Sequence, residues 1–313
     1  MWVIKHRKIF YAFSLLLLLA SVVSFAVWGL KPGIDFTGGT LISVDYPNGR
    51  PEQSVITESV SSIDDKASVR PAGPNGYIIR MKPIDQEQKS DVMKALKLDY
   101  EGDPDLIAKM ASSSDSKAVL NTFDSIGPVL GAEALRKALV SIVLVIAGIV
   151  LFITFAFRKV SEPVSSWKYG LVAIAALVHD VVIPTGVFSV LGHFAGYEVD
   201  TLFVTALLVI LGFSVHDTIV VFDRVRENLR LSSSKKSFTE VVGESINQTI
   251  VRSLNTSLTT LIALFVLYFV GGSATEHFSL ALIIGIAAGT YSSIFVGSAL
   301  LVTIEKWGKG KKS

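Results

Sequence analysis

Long unbroken apolar stretches dominate this chain. Residues 9–28 and 138–157 are each free of charge, and about 20 apolar residues are enough for a helix to cross a ~30 Å hydrocarbon core. Four more candidates follow at residues 171–191, 201–222, 253–270 and 278–304. The pattern predicts a polytopic α-helical membrane protein with six transmembrane helices. The third and fourth stretches each carry one carboxylate, Asp180 and Asp217.

Between the first two stretches the pattern changes. Residues 40–46 are β-rich and end in the turn chemistry of Pro47-Asn48-Gly49. Residues 52–63 suit a helix. Residues 67–70 and 77–81 read as strands joined by the Pro- and Gly-rich turn at 71–76. Residues 86–98 read as an amphipathic helix with Val92, Met93, Leu96 and Leu98 apolar, and 117–123 as a last strand. The order βαββαβ predicts a ferredoxin-like α+β domain. The expected layout is an N-terminal segment and first helix (1–30), an extracytoplasmic domain (31–134), a five-helix remainder of the bundle (135–304) and a basic tail (305–313).

Composition agrees with the membrane reading. Half of the residues are hydrophobic and 18% are charged, against about 25% in soluble domains. Orientation follows from Lys and Arg. Lys5, Arg7 and Lys8 precede the first stretch, and Arg158, Lys159 and Lys168 follow the second. Arg224, Arg226, Arg230, Lys235, Lys236 and Arg252 surround the link after the fourth, and Lys306, Lys309, Lys311 and Lys312 end the chain. The links at 192–200 and 271–277 carry neither residue type. The positive-inside rule then places both termini in the cytoplasm and the α+β domain outside. The first stretch is too long for a signal-peptide core and lacks a clean cleavage site, so it is expected to stay as an anchor.

The chain has no cysteine, which excludes disulfides and thiolate metal sites. The α+β domain is acidic, has no histidine and pairs no nucleophile with a base. Nucleic acid binding, a metal site, a cofactor and enzymatic catalysis are not expected. The loop Gly33-Ile34-Asp35-Phe36-Thr37-Gly38-Gly39 is rich in glycine but precedes a strand, so a shaped junction suits it better than a phosphate cradle.

The candidate chemistry lies in the spans. A carboxylate at mid-membrane costs roughly 2.5–3.5 kcal/mol on insertion scales, which makes it a functional candidate by default. Asp217 falls in the cytoplasmic half of its span, at a depth similar to Arg252. Gln248, Arg252, Asn255 and Thr259 fall on one helical face. Asp217 could exchange a proton while Arg252 pairs with its charged form, or the two could form a fixed structural ion pair. Asp180 precedes Pro184 by four residues and could be a second polar site or a partner for backbone groups freed by the kink. His179 and His216 point about 100° away from the carboxylates that follow them and suit packing or hydrogen bonding better than a relay. Gly285, Gly289, Ser293 and Gly297 make a small-residue stripe for close packing, against this chain or a partner. Ser237-Phe238-Thr239-Glu240 reads as a capping box that starts a helix running into the fifth span.

Several of these segments together resemble the SecD/SecF family of protein-export membrane subunits, within the resistance-nodulation-division superfamily. They are Gly33 to Thr40, Val178-His179-Asp180, the run Gly212-Phe213-Ser214-Val215-His216-Asp217-Thr218 continuing to Asn228, residues 249–260, and Gly271-Gly272 with Phe278-Ser279-Leu280. The resemblance covers essentially the whole chain and is closest to the SecF half. It departs at His216, where the family often carries Asn. It implies an accessory subunit of the Sec machinery that couples the proton gradient to late export of polypeptides. It also implies a separate SecD-like subunit, the SecYEG translocon, the translocating polypeptide and membrane lipid as partners. Its natural place is the bacterial cytoplasmic (inner) membrane. Half of a proton-driven small-molecule or lipid exporter, or a structural assembly subunit, are the rival expectations.

Overall fold

The computed structural model describes residues 2–47, 49–96, 118–156, 166–231, 236–271 and 273–310. Two compact units emerge, Met1–Lys31 with Ala138–Ser313, and Pro32–Lys137.

The described residues include six helices long and apolar enough to cross a membrane: Arg7–Trp28, Pro128–Ala156, Trp167–Phe194, Thr201–Leu231, Phe238–Val270 and Thr275–Trp307. The fourth runs on past the apolar stretch, because Asn228 and Arg224 on its last turns bond to the fifth. Asn228 Nδ2 reaches Ser245 Oγ at 2.9 Å and Gln248 Oε1 at 2.8 Å, and Arg224 Nε reaches Gln248 Oε1 at 2.7 Å. The fifth span likewise starts well before its apolar stretch. Ser237 caps it in a capping box: Ser237 Oγ accepts from Glu240 N at 3.3 Å, and Glu240 Oε2 accepts from Ser237 N at 2.8 Å. Link and span are therefore one helix of 33 residues.

The third, fourth and sixth spans supply most of the buried interior, and the first packs along the third. Small residues set that last approach. A Cβ on Gly186 would collide with Ser21. Ser24 Oγ donates to Gly186 O at 3.0 Å, and Ser189 Oγ lies 2.9 Å from Ser24 O and 2.7 Å from Gly29 O. Pro184 sits inside the third helix. The sixth helix widens into a π turn over Ser292–Gly297. Its small-residue stripe faces other spans of this chain. Gly285 lies against Ile210 with no room for a side chain, a Cβ on Gly289 would stand 3.1 Å from Ser214 Cβ, and one on Gly297 would meet Val172 of the third span at 3.9 Å, beyond Ser292 O of its own helix at 3.6 Å.

The second unit is an antiparallel four-stranded sheet. Its strands are β1 (Gly39–Asp45), β2 (Ser68–Ala72), β3 (Gly76–Met81) and β4 (Val119–Ile126), in the order β2-β3-β1-β4. Helices Gln53–Ser61 and Gln86–Ala95 connect β1 to β2 and β3 to β4. This is the ferredoxin-like order. Alternate residues Ile42, Val44, Ile79 and Met81 are buried together with Ile56, Val60, Val92, Met93 and Leu96 from the helices. Leu98 and Lys117 lie outside the described residues. Asp85 caps the second helix in another capping box. Asp64 pins the connection before β2 to the end of β3 by accepting from Lys82 N at 2.6 Å and Lys66 N at 3.1 Å.

The glycine loop has a specific geometry. Ile34–Thr37 forms a single helical turn, with Gly33 at its start in ordinary extended backbone (φ −75°). Gly38 and Gly39 take φ +71° and +137°, values that disfavour other residues. A Cβ on Gly38 would lie 2.7 Å from Pro128 Cα, and one on Gly131 would lie 2.7 Å from Gly38 N. The loop and the start of the Pro128–Ala156 helix therefore meet backbone against backbone.

Candidate functional site

Ionisable and hydroxyl side chains gather inside the membrane unit. Asp180 is 0% exposed, His179 2% and Asp217 3%, so none of the three can rely on bulk water to solvate its charge. Asp180 is well provided for. Oδ1 pairs with His179 Nδ1 at 2.8 Å, which corrects the expectation that His179 points away from this carboxylate, since the two adjacent side chains bend towards each other across the 100° step; Oδ2 accepts from Ser292 Oγ at 2.8 Å and from Ser214 Oγ. The third, fourth and sixth spans thus converge on one carboxylate. His179 also stacks on Tyr291, with ring centroids 6.2 Å apart, and its Nε2 has no hydrogen-bond partner.

Asp217 stands three residues beyond Ser214, on the same buried face of the fourth span. Its Oδ2 has no hydrogen-bond partner. Ser253 of the fifth span, also buried, lies beside it. One turn further on, Ser257 Oγ meets Thr290 Oγ1 at 2.6 Å. The structure thus gathers Asp180, Asp217, His179 and a row of hydroxyls.

The remaining candidates lie elsewhere. Gln248, Arg252, Asn255 and Thr259 do share a face, and that face is exposed, as is His216. Among the described residues no ion pair joins Asp217 to Arg252. One step along a helix turns the side chain by about 100°, so Ser253 takes the inward position and Arg252 the outward one. Gln248 is engaged by Arg224 and Asn228. Ser214, Ser292 and Ser253 were not among the sequence candidates. Their signal was position, one turn from a carboxylate or on the buried row of a neighbouring span.

The described residues hold no group of three or more His, Cys, Asp or Glu arranged to bind a metal.

Comparison with known proteins matches this architecture. The family model for protein export membrane protein SecD/SecF, C-terminal, covers residues 106–307, and the SecD/SecF GG motif covers residues 23–46, which include Gly33, Asp35, Gly38 and Gly39. The protein translocase subunit SecF of Thermobaculum terrenum is 41% identical over 97% of this chain and 93% of its own length. That of Anaerolinea thermophila is 34% identical over 97% and 94%. The crystal structure of SecDF, a translocon-associated membrane protein from Thermus thermophilus, superposes with a TM-score of 0.78 at 32% identity, covering 97% of this chain and 38% of that one. A six-span membrane unit with interior carboxylates, a ferredoxin-like unit and a glycine junction, matched along nearly the whole chain, place this protein in the SecD/SecF family of protein export membrane proteins.

Proposed function

We propose that this chain is an accessory subunit of the Sec export machinery, working with a SecD-like partner, and that protonation of Asp217 couples the proton gradient to polypeptide movement. The chemistry is vectorial and needs no covalent step. The observation that carries the reading is Asp217 itself: a carboxylate 3% exposed in an apolar helix, with one oxygen lacking any hydrogen bond. A permanently charged group would be costly there, and a permanently neutral one would have no need to be acidic. Burial without a fixed counter-ion suits a group that gains and loses a proton.

The exposed polar face supports the partner. Arg252, Asn255 and Thr259 point out of this bundle in the middle of a helix that spans the membrane. Facing lipid, Arg252 alone costs roughly 2.5–3.5 kcal/mol. The Thermus thermophilus SecDF, of which this chain aligns with 40%, carries a further portion that a separate SecD-like chain would supply here. Covered by such a partner, Arg252 could approach Asp217 when the carboxylate is charged and withdraw when it is neutral. On the positive-inside reading the proton moves inward through this region, and the outer domain holds or pulls the emerging chain.

The test is proton-gradient-dependent export into membrane vesicles that carry the SecYEG translocon and the SecD-like partner. Asp217→Asn should abolish the response to the gradient while expression and complex assembly stay normal. A normal response would overturn the coupling role and leave Asp217 a structural group.

A further inference from the structure

We propose that the apolar layer around Phe188 is a gate that opens and closes access from the extracytoplasmic side to the buried carboxylates, with residues 192–200 as a strap across it; the idea rests on the proton-coupling reading of Asp217 and on the positive-inside orientation. The buried residues of the third to sixth spans fall into three layers in the same order. The middle layer holds Asp180, Ser214, Asp217, Ser253, Ser257 and Ser292. Towards the basic links lie Tyr169, Phe222, Ile246 and Val302, one from each span, in one apolar cluster. Towards the links at 192–200 and 271–277 lie Phe188, Phe203, Leu264 and Ile286, again one from each span, in another. Asp180 and Asp217 are therefore sealed between two dry layers. A hydrocarbon constriction closes a path by excluding water. From Phe188 to Asp180 the third span runs eight residues, about 12 Å of helix. A group that exchanges its proton with the exterior needs the Phe188 layer to part.

The contacts mark the seam along which it parts. The first and third spans are locked together, with Gly186 against Ser21. The fourth and sixth are locked likewise, with Gly285 against Ile210. Between these two pairs the layer closes on rings: Phe188 meets Phe203 with centroids 4.5 Å apart. Ring contacts separate without breaking a backbone hydrogen bond. The strap crosses the same seam. Val199 N donates to Lys31 O at 2.9 Å, just past the end of the first span, and Glu198 Oε1 lies 3.5 Å from Lys31 Nζ. From the same segment Tyr197 reaches the sixth span. Its hydroxyl donates to Glu276 Oε1 at 3.1 Å, its ring stacks on His277 with centroids 4.1 Å apart, and it meets Phe188 edge-on at 6.1 Å. Tyr197 thus ties the two pairs together over the layer. Deeper in, Asp180 bonds to Ser214 and Ser292, which holds the pairs together there and confines the parting to the end that carries the strap.

The chain has no cysteine, so a single introduced one reports access. Leu207→Cys places it in the layer, where Leu207 is buried. If that variant does not assemble, Ile286→Cys on the sixth span replaces it. The measurement is the rate of modification, read by mass on this chain, in spheroplasts that carry the SecD-like partner and are treated with a membrane-impermeant thiosulfonate. The rate should be low when a protonophore collapses the gradient and about tenfold higher when the gradient drives export, as the open population grows. Phe188→Ala and Tyr197→Ala should each raise the collapsed-gradient rate towards the driven one. If neither does, these side chains do not close the path and the proposal fails. A rate that the gradient does not change also overturns the gate, and leaves coupling at Asp217 to its own export test. In Asp217→Asn the acceleration by the gradient should vanish. If it persists, the gate stands and the coupling reading of Asp217 falls.

Discussion

Ser292 donates a 2.8 Å hydrogen bond to Oδ2 of Asp180, joining the sixth span to the third at the first residue of the π turn. Removing the hydroxyl leaves that oxygen with Ser214 alone. Ser292→Ala should therefore destabilise the chain by roughly 1–3 kcal/mol, the cost of an under-satisfied buried polar group. Thermal unfolding in detergent measures it, and an unchanged midpoint would mean that the bond carries no weight.

Arg252 and Ser253 should separate cleanly. Arg252 is exposed in this chain and Ser253 is buried. Arg252→Ala should leave the thermal midpoint of the isolated chain nearly unchanged, within about 0.5 kcal/mol as for surface positions, and weaken co-purification of the SecD-like partner. Ser253→Leu should do the reverse, overpacking the contact between the fourth and fifth spans at a cost of about 1–3 kcal/mol.

Asp64 gives the ferredoxin-like unit an acid limit. The amide of Lys82 first, then that of Lys66, holds its carboxyl below the usual range, against the opposing effect of burial. A carboxyl lowered on folding stabilises the native state above its unfolded value, about 3.9, and that contribution is lost as pH falls through the folded value. The protection of β3 amides against exchange, taken relative to the intrinsic rate at each pH, should therefore stay high at pH 7 and fall once pH drops below about 4. Asp64→Asn should lower it already at pH 7, by the equivalent of about 1.5–3 kcal/mol for hydrogen bonds to a charged group.

Two glycines with similar backbone should respond differently to alanine. Gly38 (φ +71°) would push a Cβ to within 2.7 Å of Pro128 Cα, whereas Gly73 (φ +60°) has open space around it. Gly73→Ala should cost only the left-handed conformation, about 1–2 kcal/mol. Gly38→Ala adds a backbone collision and should cost clearly more, seen as faster limited proteolysis.

Much of this was legible in the sequence. The spans follow from run length, and the βαββαβ order from period-2 runs such as Ile42 and Val44 or Ile79 and Met81. The fifth span was the hard case, because two polar rows interleave on it. One row is Gln248, Arg252, Asn255 and Thr259; the other is Ser245, Thr249, Ser253 and Ser257. Polarity draws attention to the charged row. Packing in a bundle buries the other, since small hydroxyls can bond the carbonyl one turn back: Ser245 Oγ lies 2.8 Å from Val241 O, and Thr249 Oγ1 2.9 Å from Ser245 O. No count of charges could reveal that Asp180 gathers ligands from three spans, because Ser214 and Ser292 are ordinary residues until the helices are assembled.

The π turn at Ser292–Gly297 gives the last span an altered phase. Its bonds run from i to i+5, so the helix takes in a residue beyond the α repeat before returning to it at Ser298. Everything after it is rotated relative to an uninterrupted helix. This is why Gly297, in step with Gly285 and Gly289 by sequence, looks toward Val172 rather than the fourth span. An α-helix of the same length without the turn would swing the tail by about 100°, taking buried Ser298, Leu301, Val302 and Glu305 out of their places, whereas excising one residue from the turn should let it close as an α-helix with those residues kept. The reading frame of the turn thus sets which face of the tail the rest of the bundle meets.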